Sequence, residues 1–483
     1  MVAPQPFARL FAAEIDGRAQ TIRYRQGQFH RLQSSLVQHI DKIKNAIQTD
    51  SGHAVEEVQA EICLALKEIR THYLSLNLDE DLEKEYRVAN GKDNVDAARG
   101  IGIVYIIPST HTMFFSVISA LSAAMAAGNC IILELTKNTL TLPPLLKEIL
   151  VQALVADTFA VSEERPDQAL LEKVLVVAQT SSTSSSTRSL VSPVTARTVA
   201  VVDRTADIQA AAQALVAARF AFGGKSTYSP DVVLVQEFAM KAFVESIILH
   251  SSKYLSGPTG EERQKVVNPR RSSPGLSILD LAYKDPSARV LVSGSGWGVV
   301  EVHDRSSPLL QKKVEEKVLI LHPVSSMDDA IDYTVSFGPL AATYSFAAPS
   351  SSKYLTQFID AHISFINHVP LEFLIGPAAP TGSPATRETR YSPSLFQTPR
   401  PQFVSESSNA SLVRWVLDKP RSKEATEAWK EAVSPLPSTG LKAGKRIGFF
   451  EQGIITGGVI TLFSFVATVG TLGYYAVGFL RRL

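Results

Sequence analysis

A thiolate is the strongest nucleophile a side chain offers near neutral pH. The 483-residue sequence holds two cysteines, Cys63 and Cys130. That number excludes a disulfide framework and a Cys-rich metal site, and it fits a reducing compartment. His30, His39, His53, His72 and His250 are scattered without metal-ligand spacing and read as surface or capping residues. Ser-x-x-Lys and Ser-His-Asp arrangements arise by chance in so Ser-rich a chain, and no G-x-S-x-G elbow supports a hydrolase.

The elements that must position any chemistry are easier to read. Phe29, Leu32, Leu36, Ile40, Ile43 and Ile47 recur at spacings of three and four, which predicts one amphipathic helix over 29–47, broken at Thr49–Gly52. A second helix runs from Ala54 to about Leu74, with Val55, Val58, Ile62 and Leu66 on one face; Cys63 inside it reads as a core thiol. From Gly100 the pattern changes. GIGIVYIIP is a buried strand, FFSVISALSAAMAAGN a small-residue helix, CIILEL a second strand and Leu142–Leu154 a helix. Strand, helix and strand at this spacing make a βαβ unit and a parallel sheet. KVLVVA, TVAVVD, DVVLVQ and VLILHPV are further strands, and SSMDDAIDYTVS is a helix. Thr180–Ser189 is a low-complexity solvated loop, 376–410 an extended loop, and 411–446 a polar helix followed by a linker.

Composition narrows the partners. Forty-eight basic residues face 47 acidic ones, so no basic surplus points to nucleic acid. The N-terminus lacks an apolar stretch of signal-peptide length, with acids already at Glu14 and Asp16, so the body is expected to be cytosolic. From Gly453 to Leu480 there are 28 uncharged residues. As a helix they span roughly 40 Å, enough to cross a bilayer with tilt. Lys442, Lys445 and Arg446 precede the run, Arg481 and Arg482 follow it, and Tyr474 and Tyr475 suit an interface. The run reads as a single-pass tail anchor, and its modest basic flanks favour the endoplasmic reticulum.

Five pieces in order carry a resemblance. They are the helix ending in Ala126-Ala127-Gly128-Asn129 within 100–137, Ser192-Pro193-Val194-Thr195, GGKSTYSPD at 223–231, Pro339-Leu340-Ala341, and Tyr344-Ser345-Phe346. In this order the chain resembles the aldehyde dehydrogenase superfamily, in its class 3 branch, which includes fatty-aldehyde dehydrogenases with a C-terminal membrane tail. The resemblance covers nearly the whole chain. It implies an α/β fold of two doubly wound domains with a small bridging strand arm and a C-terminal transmembrane helix. The corresponding bounds are 1–198 for N-terminal helices and a cofactor-type domain, 199–375 for a nucleophile-type domain, 376–446 for the arm, return segment and linker, and 453–480 for the anchor. It also implies a homodimer.

The family's chemistry needs a thiolate to form the adduct that yields hydride, donors for the oxyanion, and a carboxylate to activate water. On the family's pattern the thiol position falls on Thr227, the oxyanion Asn on His111 and the carboxylate on Arg197, with the G-G-K after it deleted. The cofactor positions fall on Glu134 and Lys137, and the T-G-S turn on the Ser-rich run containing Ser182. A carboxylate at Glu134 can bind ribose hydroxyls and would repel a 2′-phosphate; a Ser-rich helix start can meet a phosphate with backbone N–H groups. NAD is therefore the cofactor the resemblance allows. Glu315-Glu316-Lys317-Val318 and Ile375-Gly376-Pro377 are reduced forms of two further family segments.

If the fold holds, Thr227, His111 and Arg197 should share one pocket. The reading that results is a membrane-anchored, catalytically impaired relative that binds or scaffolds in lipid or isoprenoid aldehyde metabolism. The competing reading is an active NAD(P)-dependent oxidoreductase acting on a long-chain or terpenoid aldehyde.

Overall fold

The β-branched, Gly- or Pro-bounded runs do form strands. In the computed structural model, which describes residues 7–180, 188–254, 277–418, 422–440 and 447–480, they are β1 (Ala98–Gly100), β2 (Ile103–Ile107), β3 (Cys130–Glu134), β4 (Phe159–Ser162), β5 (Leu175–Ala178), β6 (Ser189–Val191), β7 (Thr198–Val202), β8 (Val232–Gln236), β9 (Ala288–Gly294), β10 (Trp297–Val302), β11 (Lys317–Val324), β12 (Leu340–Phe346), β13 (Ala361–Ile366) and β14 (Gln397–Pro399). One sheet has the order β4-β3-β2-β5-β6 and is parallel throughout. A second has the order β13-β12-β7-β8-β11-β10-β9, parallel except for the edge strand β9. Strands β1 and β14 make a small antiparallel ribbon, with Arg99 opposite Thr398. This is the α/β architecture the resemblance implied.

The helix Met113–Ala126 shows why a parallel sheet needs cover on both faces. Thirteen of its residues, Phe114 through Ala126, are buried. It has no polar side, and its alanines and serines let neighbouring elements approach closely. Ser116 and Ser122 return their hydroxyls to the backbone carbonyls of His111 and Ile118. The turn that follows carries the Ala-Ala-Gly-Asn signal. Gly128 stands at φ +83°, where an L side chain is strained. Asn129 then ties three segments together: Oδ1 accepts from Gly102 N–H at 3.0 Å, just ahead of β2, and Nδ2 donates to the carbonyls of Ala124 in the preceding helix and Phe396 just ahead of β14.

The N-terminal helices differ from the sequence expectation. The stretch 29–47 is not one helix but parts of two, Ile22–Gln38 and Ile40–Ser51. The break falls at His39, whose backbone leaves helical geometry and whose ring bonds the Ser35 carbonyl at 2.9 Å. Apolar spacing ran on across the break because both helices bury the same side. The helix Val55–Leu74 buries Val58, Glu61, Ile62, Ala65, Glu68, Ile69 and His72, a face rotated from the expected one. Val55 and Cys63 are consequently exposed, so Cys63 is not a core thiol. His72 is not a surface residue either: it sits between Ser122 Oγ at 2.9 Å and the Tyr391 carbonyl at 3.0 Å.

The chain divides into two units, 1–405 and 406–483. The second contains helices Ser408–Asp418, Lys423–Ala432 and Phe449–Leu480. Within the last, Glu451–Gly473 is long and apolar enough to cross a membrane and is not buried by protein.

Candidate active site

Open parallel sheets bind ligands where strand order reverses, beyond the carboxyl ends of the strands. In the five-stranded sheet that point lies between β2 and β5. Ser109–Met113 follow β2 and Gln179 follows β5, and all line a cleft of about 360 Å³. Its other walls are Asp50, His53 and Glu61 from the N-terminal helices, Lys225 and Thr227 from the segment before β8, Lys313 and Glu315 before β11, and Gly376 and Pro377.

Thr227 and His111 are brought together here, with no hydrogen bond joining them among the described residues. The Thr227 carbonyl accepts from Thr198 Oγ1 at 2.7 Å, which fixes its backbone at the head of β7. His111 is set by a turn that uses left-handed backbone at Thr112, φ 41°. Thr112 Oγ1 accepts from Gly376 N–H at 2.6 Å and locks that turn to the far wall. The His111 ring lies 2.9 Å from the Leu374 carbonyl through Nε2. A carbonyl only accepts, so Nε2 carries the proton and Nδ1 keeps a lone pair, for which no partner is present. Burial pulls His111 down to about 4, so it is neutral at physiological pH.

Glu61 is fully buried yet carries a carboxyl group. Its Oε1 accepts from Phe115 N–H at 3.2 Å, at the start of the Met113–Ala126 helix. Burial pushes it up to about 7, against the backbone bonds that favour ionisation. His53 packs edge-on against the Phe222 ring, centroids 5.6 Å apart, and is also held neutral by burial. Lys313 lies 3.6 Å from the buried Asp231, which accepts in turn from Thr198 N–H and Val314 N–H, both at 2.8 Å.

Arg197 does not join this cleft, contrary to the sequence expectation. Its guanidinium stacks 4.1 Å above the Phe337 ring, and Nη1 donates to the Leu310 carbonyl at 2.6 Å. Side chains alternate between faces at a strand. One residue ahead of β7, Arg197 is turned to the face covered by the Met327–Val335 helix. The cofactor positions are engaged as well. Glu134 accepts from Tyr105 Oη at 2.6 Å and pairs with Arg165 at 3.3 Å, buried at the end of β3. Lys137 is exposed and pairs with Glu163 at 2.8 Å. Ser182 lies outside the described residues. Glu134 and Lys137 are thus each committed to protein, and neither fits as an open anchor for a dinucleotide ribose.

Sequence reasoning missed Glu61, His53, Lys225, Lys313 and Glu315. Only Glu61 gave a signal: it falls three residues after Val58 and one before Ile62, on the apolar side of its helix. The others come from segments far apart in the chain.

Comparison with known proteins gives consistent results. The model of the aldehyde dehydrogenase family matches residues 12–275. The Pongo abelii protein described as aldehyde dehydrogenase family 3 member A2 is 23% identical over 382 residues, covering 73% of this chain and 76% of that one. The dimeric NADP-preferring aldehyde dehydrogenase of Rattus norvegicus is 21% identical over 368 residues, covering 71% and 80%. Among solved structures, Staphylococcus aureus AldH superposes with a TM-score of 0.65 at 18% identity, over 83% of this chain and 94% of that one.

Proposed function

Because this chain belongs to the aldehyde dehydrogenase family, we propose that it keeps the family's body while lacking hydride-transfer chemistry, and acts by binding at a membrane surface in lipid or isoprenoid aldehyde metabolism. One observation carries this reading: Thr227, on which the family's thiol position falls, lines the cleft, and attack on a carbonyl there calls for a thiolate. An alcohol attacks only with a base beside it. The two imidazoles lining the cleft, His53 and His111, are made weak bases by burial and have no hydrogen bond to Thr227 among the described residues. Neither cysteine substitutes. Cys130 is buried in β3 with its thiol pushed up to about 12, and Cys63 is exposed on the outer side of its helix. On the family's pattern the position of the water-activating carboxylate falls on Arg197, whose guanidinium stacks on Phe337.

The full-length protein in detergent, given NAD or NADP and a fatty aldehyde, is expected to reduce no cofactor above a Thr227→Ala control. Thr227→Cys is expected to stay equally inert, because Glu134 is bound to Tyr105 and Arg165. Cofactor reduction that Thr227→Ala abolishes would instead establish an active NAD(P)-dependent oxidoreductase for long-chain or terpenoid aldehydes.

The helix Phe449–Leu480 supports a single-pass anchor, and the proposal puts the body on the cytosolic side of the endoplasmic reticulum membrane. An Arg at mid-span costs about 2.5–3.5 kcal/mol on insertion scales. The double variant Leu462→Arg, Val466→Arg should therefore move the protein from carbonate-washed membranes to the soluble fraction. Retention in the membrane pellet would remove the anchor from this reading. The rat relative, described as dimeric, supports a homodimer.

A further inference from the structure

Two helices that lie in sequence between the body and the C-terminal span carry large apolar side chains in the open. In Ser408–Asp418, Leu412, Val413, Trp415, Val416 and Leu417 are all exposed, Trp415 by 44% and Leu417 by 72%. In Lys423–Ala432 and its C-cap, Ala428, Trp429, Ala432 and Val433 recur at spacings of three and four, which puts them on one side. Lys423, Glu424, Glu427, Lys430 and Glu431 take the other side. Trp429 is 68% exposed, and Leu436 just beyond the helix is 93% exposed. Single exposed apolar residues are ordinary on a surface, but a run of them that includes two tryptophans marks a face that something covers.

The place of these helices in the chain names the cover. Residues 433–448 join Ala432 to Phe449, and a chain of that length reaches at most about 55 Å. The apolar faces are therefore tethered beside the bilayer that Glu451–Gly473 is long and apolar enough to cross, and the tether raises the effective concentration of lipid around them. Lys442, Lys445 and Arg446 lie in the same tether and suit a surface with anionic headgroups. Tryptophan fits a headgroup boundary because its ring is apolar while its indole N–H can stay hydrated. A helix with one apolar and one charged face lies in that boundary, its apolar side about 5–10 Å deep.

We propose that Ser408–Asp418 and Lys423–Ala432 form a lipid-surface module, lying in the headgroup boundary of the bilayer that the C-terminal helix crosses, with Trp415 and Trp429 as its anchors. The inference rests on the membrane-surface role proposed above and adds a second lipid contact to the spanning helix. The first unit ends at residue 405, so docking from Ser408 onward holds the end of the body at the lipid surface. With the span as its one attachment, the body would instead hang on the whole of residues 406–448.

The tryptophans make the test direct. The chain has three: Trp297 is buried in β10, the segment 449–480 has none, and Trp415 and Trp429 are left to report on lipid. The full-length protein is reconstituted in vesicles of phosphatidylcholine and phosphatidylserine, either plain or with bromine at a shallow or a deep acyl position. Bromine quenches indole emission at short range. Shallow bromine is expected to remove a large part of the tryptophan emission, and more of it than deep bromine removes. The double variant Trp415→Phe, Trp429→Phe should lose that quenching and still float with the vesicles, since the spanning helix is untouched. Equal emission from plain and brominated vesicles overturns the proposal and assigns the apolar faces to the body or to a second copy. Quenching that the double variant keeps in full also overturns it, and so does stronger quenching by deep bromine, which would put the helices in the bilayer core. Protein that does not float with the vesicles would fell the anchor and this inference together, whereas floating protein without quenching fells this inference alone.

Discussion

Replacing Arg219 with methionine will destabilise the chain by roughly 3–5 kcal/mol, because several buried carbonyls lose their donor at about 1–3 kcal/mol each. Arg219 is fully buried near the end of the helix Ile208–Phe220. Its guanidinium meets backbone oxygens rather than a carboxylate. Nη2 donates to Gly224, Val314 and Glu316 at 2.6, 2.5 and 2.7 Å, Nε to Glu316 at 2.9 Å, and Nη1 to Pro230 at 3.4 Å. Burial lowers its pKa to about 10, still charged at neutral pH. Methionine fills much of the volume and takes the donor from the Gly224, Pro230 and Val314 carbonyls, at about 1–3 kcal/mol for each that stays unpaired, while the Glu316 carbonyl keeps Val318 N–H at 2.8 Å. Gly224 and Pro230 flank Thr227, so this one side chain holds both ends of the segment that shapes the cleft. Gly224 itself stands at φ +69°, and a Cβ there would come 2.5 Å from the Glu316 carbonyl oxygen. Arg219→Lys keeps the charge but loses the planar fork, and it should lose a large part of the same stability. Denaturant unfolding in detergent reads the difference, and a loss below about 1 kcal/mol for Arg219→Met would show the carbonyls find other donors.

Stability will fall by roughly 2 kcal/mol between pH 6.5 and pH 8, the opposite of the usual carboxylate behaviour. Glu61 and Glu68 hold their protons up to about 7 and about 8 because both are buried. Glu68 accepts from Arg390 N–H at 2.5 Å through one oxygen and has no partner on the other. In the unfolded chain both carboxyls lose their protons near 4.5. Above that pH the native state binds more protons than the unfolded state, so stability declines as pH rises, by about 1.4 kcal/mol per unit for each group. His72 and His111 work the other way. Burial lowers both to about 4 from an ordinary 6.5, so between those values the unfolded state binds more protons and stability rises with pH. Two rising and two falling groups offset one another up to pH 6.5. Beyond it the unfolded imidazoles, half protonated at pH 6.5, lose their remaining protons within about a unit, and the carboxyls then dominate until they ionise in the native protein. Glu68→Gln should remove most of this fall, because Glu68 stays protonated longest. Unfolding free energies at pH 6.5 and 8 check this, and a flat wild-type profile would mean that water already solvates these carboxyls.

The sequence determined what is written locally. β-Branched runs between Gly and Pro gave the sheet strands, because pleated backbone and burial on both faces select those residues over a few positions. Gly128 and Asn129 gave a turn, because left-handed backbone and a side chain able to both accept and donate are properties of those two residues. The C-terminal span and the missing sulfur at Thr227 are likewise statements about composition at a place. Tertiary structure decided the rest. Periodicity carried the 29–47 helix through its break at His39, because two helices burying one side keep a common apolar rhythm. Glu61, Glu68 and His72 look like a solvated face in a string of residues, and they are buried because the Met113–Ala126 helix covers them. Arg197 shares a family position with a catalytic carboxylate, yet its side chain follows the alternation at β7 away from the cleft. The cleft itself joins Glu61, His111, Thr227 and Lys313, separated by up to some 250 positions, because only the reversal of strand order between β2 and β5 leaves a gap for them to line. Such gaps are set by how sheets and helices close against each other, which no stretch of neighbouring residues encodes.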